Sequence, residues 1–204
     1  MDDQLQAKPK KTWTHRGDNR QRLIAAGYTI LAEKGVEAAT VKEIALLAGV
    51  SPGLFHYHFE SKDELLLAVL WEAGRRFAEQ LRQDLQEALK TQPFPAVALV
   101  KAHEVGHKDP AWYRLRYELF ALGLRKPAFL PAVGDYLAKT RQTMTQTITA
   151  LTGMEEARAR DMAMVMLACV DGLALQQLAQ PGLDMSAAYA LVQTLFSVEP
   201  EPLA

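Results

Sequence analysis

The chain has 204 residues, of which 49% are apolar and 23% charged, and its formal net charge at pH 7 is −1. This length and composition are ordinary for a soluble globular protein, whose core needs no disulfide or metal to stabilise it. No apolar run approaches the ~18 residues of a membrane span. The acidic start has no apolar run behind it as a secretory signal would, and the single Cys169 excludes an internal disulfide. We therefore expect a cytoplasmic protein with no membrane partner.

Charge is unevenly distributed along the chain. Residues 7–62 carry nine Lys or Arg against five Asp or Glu, whereas residues 63–204 carry 14 against 17. The positive end is where a polyanion would bind, although ordinary scatter of charge gives the same pattern. Residues 1–17 are polar and include three lysines, so they are predicted to form a basic flexible arm.

The first two predicted helices follow this arm. Helical periodicity begins at Asn19, and Gly35 ends the first helix because glycine suits a left-handed cap. Its apolar face has the i, i+3, i+4, i+7 spacing: Ile24, Gly27, Tyr28 and Leu31. Thr40 and Glu43 are spaced as a capping box that opens the second helix, which Gly49 closes.

A third short helix and a long fourth one come next. Ser51-Pro52 provides an N-cap followed by proline at the first helical position, and Phe55 and Phe59 form a buried pair. Ser61 and Glu64 make another capping box, which opens a helix to about residue 89. Only two residues separate the second helix from the third helix's cap, so the chain must turn sharply there, as in a helix-turn-helix.

Amphipathic segments separated by Pro and Gly continue to the end of the chain and predict about five more helices, near 94–108, 110–124, 127–151, 155–179 and 184–197. No alternating strand pattern of useful length occurs. The fold class is therefore predicted to be all-α, with about nine helices. We expect a helix-turn-helix domain at 18–64, joined by the long helix to a larger helical domain at 65–204.

Residues 40–66, TVKEIALLAGVSPGLFHYHFESKDELL, strongly resemble the DNA-binding signature of the TetR family of transcriptional regulators. The preceding helix matches as well, so the resemblance covers about residues 19–70. It implies a dimer that binds double-stranded DNA at a palindromic operator, commonly as a repressor that a small molecule releases. Family positions that commonly touch DNA correspond here to Thr40, Lys42, Pro52, Leu54, His56, Tyr57 and Lys62.

The residue chemistry agrees with this resemblance. The second helix of a helix-turn-helix lies in the major groove, and here inward-facing Phe55 and Phe59 leave the other side chains of 51–58 to face outward or sideways. Imidazole and phenol groups can bind phosphates, and Leu54 can meet a thymine methyl. Two positions differ from the family pattern: His56 stands where tyrosine is usual, and Leu54 where a small polar residue is frequent.

A competing motif suggests an enzyme. His103-Glu104-Val-Gly-His107 matches H-E-x-x-H, in which two imidazoles hold zinc and the glutamate acts as general base. A zinc metallopeptidase is therefore the alternative function. Gly106 inside the motif, the Asp109-Pro110 break just after it and the lack of an H-x-x-G-x-x-H continuation weaken it. We expect no catalytic residues, no bound metal and no cofactor.

Residues 103–120 are unusually aromatic, which suits the wall of a pocket for an organic effector, although core packing explains such residues equally well. Methionines on later helices can add adaptable surface. The candidate effector-binding residues are His103, His107, Trp112, Tyr113, Arg116, Tyr117, Phe120, Met144 and Met166.

The last two predicted helices are candidates for a homodimer interface. One carries an apolar stripe of Ala163, Met166, Leu167, Val170, Ala174 and Gln177, and the other carries Ala188, Leu191, Val192 and Leu195. Resemblance to the family implies a two-fold, four-helix interface there, and a symmetric dimer suits a palindromic operator.

Overall fold

The computed structural model describes residues 19–90 and 97–197, and within these ranges it contains nine α-helices and no strand. The helices are α1 Asn19–Ala38, α2 Val41–Ala48, α3 Pro52–His58, α4 Lys62–Ala88, α5 Ala98–Lys108, α6 Pro110–Arg125, α7 Leu130–Thr152, α8 Glu156–Ala179 and α9 Ser186–Ser197. The all-α prediction is confirmed. The arm predicted at 1–17 and the helix start predicted at 94 lie outside the described residues.

The predicted signals around α2 form as expected, but the end of α1 differs from its prediction. Gly35, which was expected to end α1 as a left-handed cap, instead interrupts it with a φ of 79° and a ψ of 172°, and α1 continues to Ala38. At the start of α2, Thr40 Oγ1 accepts from the Glu43 N–H and the Glu43 carboxylate accepts from the Thr40 N–H, each at 3.2 Å. Gly49 ends α2 in the left-handed region, with a φ of 64° that favours glycine. The capping box and the sharp turn after α2 are therefore confirmed.

The cap of α4 differs from its prediction in one detail. Ser61 Oγ accepts from the Glu64 N–H at 3.2 Å, as the capping box requires. The Glu64 carboxylate, however, accepts from the Glu60 N–H at 2.7 Å, one residue before the expected donor. The start of α4 is thus held by bonds from Glu64 to two consecutive residues, Glu60 and Ser61, rather than by a reciprocal pair between Ser61 and Glu64.

The chain divides into two compact units between Val69 and Leu70, a division that falls inside α4. The first unit contains α1, α2, α3 and the start of α4. Gly27 lets α1 approach α4 closely, since a Cβ there would lie 3.0 Å from Val69 Cγ2. The largest fully buried side chains of the first unit are Leu23, Ile24, Ile44, Phe55, Phe59, Leu65 and Leu66.

The second unit contains the rest of α4 and the helices α5 to α9. Helix α8 packs against α5, α6 and α7, and α5 also packs against α9. Five residues of the stripe predicted to face a partner are instead buried inside this unit: Ala163, Met166, Leu167, Val170 and Ala174. The prediction that this stripe of α8 faces a partner subunit is therefore wrong, because these residues form the inner face of the helix.

The outer face of α8 is apolar too. By length and composition alone α8 could cross a membrane, with a mean hydropathy of 1.6 over its best window, of which 28% is buried inside the chain. A core helix of a soluble protein passes the same test, so this is weak evidence for a span. Most of the surface of this apolar helix is therefore not buried by its own chain.

Candidate nucleic-acid interface and effector site

Helix α3 presents a polar and aromatic surface above a buried anchor. Phe55 is fully buried and its ring centroid lies 5.8 Å from that of Phe59, which is also buried. Tyr57, on the opposite face, is 81% exposed. Pro52 and His56 are exposed as well, whereas Leu54 is half-buried. The inward and outward faces of α3 are therefore as predicted.

The other three predicted DNA contacts lie at helix starts. Thr40 and Lys42 are exposed at the beginning of α2. Lys62, at the start of α4, is half-buried, and its ammonium donates to the Val36 carbonyl at 2.6 Å. Lys62 thus ties the last turn of α1 to α4, and its ammonium retains two further N–H groups that can meet a phosphate.

Arg22 is a residue of this site that the sequence reasoning missed. Its guanidinium donates to the Gly49 carbonyl at 3.2 Å and to the Asn19 side chain at 3.2 Å. These bonds join the start of α1 to the turn between α2 and α3. Nothing in the sequence pattern indicates the contact with the turn, because Arg22 and Gly49 are 27 residues apart.

The predicted effector residues on α6 form one connected cluster with α8. Arg116 is 4% exposed and pairs with the carboxylate of Asp171. Tyr117 Oη donates to the Asp171 backbone carbonyl at 2.6 Å. The Arg116 guanidinium lies 4.9 Å from the Phe120 ring centroid, and the rings of Tyr113 and Tyr117 are stacked at 6.2 Å. Asp171 is the member that the predicted site lacked.

Burial controls the ionisation of this cluster. Burial raises the pKa of Asp171 above its ordinary value, and the Arg116 charge opposes this rise. Burial also raises the pKa of Tyr113 and of Tyr117, again mainly through lost solvation. Both phenols are therefore neutral at physiological pH and available as hydrogen-bond donors.

The remaining predicted effector residues are more scattered. Trp112 is buried against Phe77 of α4, with ring centroids 6.0 Å apart. Met166 is buried in the core of the second unit, and Met144 on α7 is half-buried. The His103 ring lies 4.5 Å from that of Tyr189 of α9, centroid to centroid, with the two ring planes tilted by 39°. Burial raises the pKa of Tyr189 to about 12.

The H-E-x-x-H segment has a structural role that explains its glycine. Gly106 is buried under the ring of Tyr113, with which a Cβ at that position would collide. Glu104 pairs with Lys101 at 2.7 Å, and His107 is exposed at the end of α5. Within 19–90 and 97–197, no three His, Cys, Asp or Glu side chains are grouped to hold a metal ion. Burial is the main cause that lowers the pKa of His103, and the neighbouring His107 lowers it further through charge repulsion.

We expect no zinc-dependent peptidase activity, because two imidazoles without a third ligand make a poor catalytic site. The purified protein supplied with zinc should not cleave a mixed peptide library, and Glu104→Gln should bind operator DNA as the wild type does. Zinc-dependent cleavage that disappears in Glu104→Gln would contradict this expectation.

These features define a helix-turn-helix DNA-binding regulator with a separate helical unit, and comparison with known proteins identifies the family. Residues 23–69 match "Bacterial regulatory proteins, tetR family", and residues 104–197 match "BetI-type transcriptional repressor, C-terminal". The chain belongs to the TetR family of transcriptional regulators. The comparisons give no support to the metallopeptidase alternative.

Individual proteins agree with this assignment. The HTH-type transcriptional regulator BetI of Brucella canis is 27% identical over 189 residues, which cover 88% of this chain and 90% of that protein. BetI of Rhizobium meliloti is 38% identical over 76 residues, but the match covers only 36% of that protein. A transcriptional regulator from Rhodococcus sp. Rha1 has a solved structure that superposes with a TM-score of 0.63 at 30% identity, covering 86% of this chain and 91% of the other.

Proposed function

We propose that this regulator represses transcription as a homodimer bound to a palindromic operator in the cytoplasm, and that a small organic molecule releases it. The exposed face of α3 above buried Phe55 is the observation that supports DNA reading. A helix held rigidly from one side can place its outward side chains against base edges. We assign base or phosphate contact to the following residues: Thr40, Lys42, Pro52, Leu54, His56, Tyr57 and Lys62.

The dimer is proposed to form through the outer faces of α8 and α9. Met164, Val165 and Leu175 of α8 are each about half exposed, and they share one helical face with Ala168 and Gly172. On α9, Leu191 is 61% and Leu195 is 65% exposed. Monomeric proteins rarely leave such apolar faces in water, and members of this family typically act as dimers.

We expect DNA fragments selected by the purified protein to share two inverted half-sites. Their centres should be separated by one or more helical turns, about 10 base pairs each, because a two-fold dimer presents two reading helices. Sequencing the fragments retained after repeated selection tests this expectation. Fragments that share only a single, asymmetric site would count against a symmetric dimer.

Val165→Glu combined with Leu191→Glu should convert the dimer to a monomer in sedimentation velocity and abolish tight operator binding. Both side chains are exposed within one chain, so the substitutions should leave each monomer folded. Leu124→Glu is the matched control, because Leu124 is 79% exposed on α6, a helix that contributes to neither proposed face. If the double variant keeps the dimer mass, the interface lies elsewhere.

Release is proposed to act through α4, which belongs to both units. In the second unit, Phe77 of α4 lies 6.0 Å from the ring of Tyr113, a member of the α6–α8 cluster. A molecule that displaces Tyr113 would therefore shift α4, the helix that begins at Lys62. A coupling of about 1–3 kcal/mol weakens operator affinity roughly 5- to 150-fold, which is enough for a switch.

The effector site is proposed around Tyr113, Arg116, Tyr117 and Phe120, with His103, His107, Trp112, Met144 and Met166 as further candidates. The contacts of Arg116 and Tyr117 with Asp171 support this choice, because buried polar groups within aromatic walls are typical of sites for organic ligands. Tyr117→Ala should keep operator affinity and lose the ligand response.

A further inference from the structure

Two polar atoms on α6 lie buried in the second unit without a hydrogen-bond partner among the described residues. They are Tyr113 Oη and Arg116 Nε. Both side chains are 4% exposed, and they are three residues apart, so they are neighbours on one face of the helix. Folded proteins leave few buried polar atoms unpaired, and such an atom calls for an explanation. Here the two atoms together can serve one ligand.

The chemistry of these two atoms indicates what the ligand must offer. The Nε of arginine can only donate a hydrogen bond, and the phenol of Tyr113 is held neutral by burial and carries a donor proton. The positive charge of Arg116 lies close enough to lower the pKa of Tyr113 against this effect of burial. A ligand oxygen with free lone pairs, placed beside Arg116, satisfies both donors.

The charge balance of the cluster disfavours a cation. Asp171 already has its counter-ion in Arg116, whose other face lies on the Phe120 ring. A cationic ligand that paired with Asp171 would have to displace Arg116 and leave that charge buried without a partner, which is strongly unfavourable. An oxygen acceptor uses Arg116 Nε and leaves the Arg116–Asp171 pair intact.

The surroundings of the two donors suit an apolar ligand body. The Tyr113 ring is stacked with that of Tyr117, and Phe77 and Trp112 lie nearby with ring centroids 6.0 Å apart. Tyr117 and Asp171 are partly exposed, whereas Tyr113 and Arg116 are buried, so solvent reaches the cluster from the side of Tyr117. A ligand entering there would meet an aromatic ring first and the two donors behind it.

We propose that the effector is a small organic carboxylate or amide whose oxygen accepts hydrogen bonds from Tyr113 Oη and Arg116 Nε, and whose apolar part lies against the Tyr117 ring. This inference rests on the proposed function, since it gives the effector of that function a chemical class.

Matched probes that differ only in the head group test the proposal. Benzoate, benzamide and benzylammonium share a ring, and octanoate, octanamide and octylammonium share a chain. The wild-type full-length protein is titrated with each by calorimetry. We expect the acids and amides of at least one set to bind and neither ammonium compound to bind.

Two conservative variants then locate the site. Tyr113→Phe removes only the phenol oxygen, and Arg116→Lys keeps the positive charge but lacks the Nε donor. Each should weaken binding of the acids about 10-fold or more, as expected for one hydrogen bond to a charged group. Tyr57→Phe is the control: it makes the same substitution on the exposed face of α3 and should leave acid binding unchanged.

Three results would overturn the proposal: tighter binding of an ammonium compound than of its acid, unchanged affinity in both cluster variants, or no binding of any of the six probes. Operator binding by the ligand-free wild type is measured separately. If it is retained, only the effector class fails. If the wild type selects no DNA, the proposed function fails, whatever the probes do.

Discussion

Arg116→Met should destabilise the protein at pH 7 by about 2–3 kcal/mol, because it leaves the Asp171 carboxylate largely buried without its counter-ion. Removing one partner of a buried ion pair costs about 3–5 kcal/mol. The lower value is expected here because the Asp171 side chain is 22% exposed and keeps part of its hydration. Urea unfolding followed by circular dichroism measures the change.

A second substitution tests this explanation. Arg116→Met combined with Asp171→Leu removes both charges and should regain most of the lost stability, since apolar replacement of a buried pair is often neutral. Arg82→Met is the matched control, because Arg82 pairs with Glu79 on the exposed surface of α4, where the two side chains are 55% and 46% exposed. Surface pairs contribute about 0–1 kcal/mol, so this control should change stability little.

The loss in Arg116→Met should also depend on pH, with a definite sign. Burial raises the pKa of Asp171, so the folded state holds that proton more tightly than the unfolded state does. Stability from such a group is fully present below the unfolded pKa and is lost as pH rises through the folded pKa. Without Arg116 the folded pKa rises further. The deficit of the variant relative to wild type should therefore grow between about pH 4 and pH 7. An equal deficit at both ends would contradict a charge-based cause.

The first unit could be predicted closely because its signals are local. Thr40 and Glu43 cap α2 from three residues apart, and Gly49 supplies the left-handed residue that ends it. Phe55 and Phe59 are four residues apart on the buried face of α3 and the cap that follows it. Each of these features depends on the chain within one or two helical turns, so the sequence pattern contains it. Arg22 was missed because its partner in the turn is distant in sequence.

The second unit was harder to predict because α8 is apolar on both faces. Met166 and Val165 are adjacent in sequence, yet Met166 is 1% exposed and Val165 is 53% exposed. Helical periodicity identifies stripes, but it cannot decide which of two apolar stripes packs against the same chain. The pairing of Arg116 with Asp171 is equally invisible, since 55 residues separate them. Only the packing of α6 against α8 brings them together.

Phe55→Ala and Tyr57→Ala should separate folding from DNA reading. Phe55 is fully buried, and its truncation should cost the first unit about 3–5 kcal/mol, a large part of the stability of a small domain. Operator binding should then be lost together with helical signal from this unit. Thermal unfolding by circular dichroism and operator binding by fluorescence anisotropy are measured on the same samples.

Tyr57→Ala should behave in the opposite way. Because Tyr57 is 81% exposed, its removal should change stability by less than about 0.5 kcal/mol. Operator affinity should nevertheless fall about 100-fold, since a contact worth about 1.4 kcal/mol disappears from each of the two reading helices of the dimer. Leu47→Ala is a matched control: Leu47 is 53% exposed, but it lies on α2 outside the assigned contacts. If Tyr57→Ala binds the operator as tightly as wild type while Leu47→Ala does not, DNA is read through α2 rather than through the exposed face of α3.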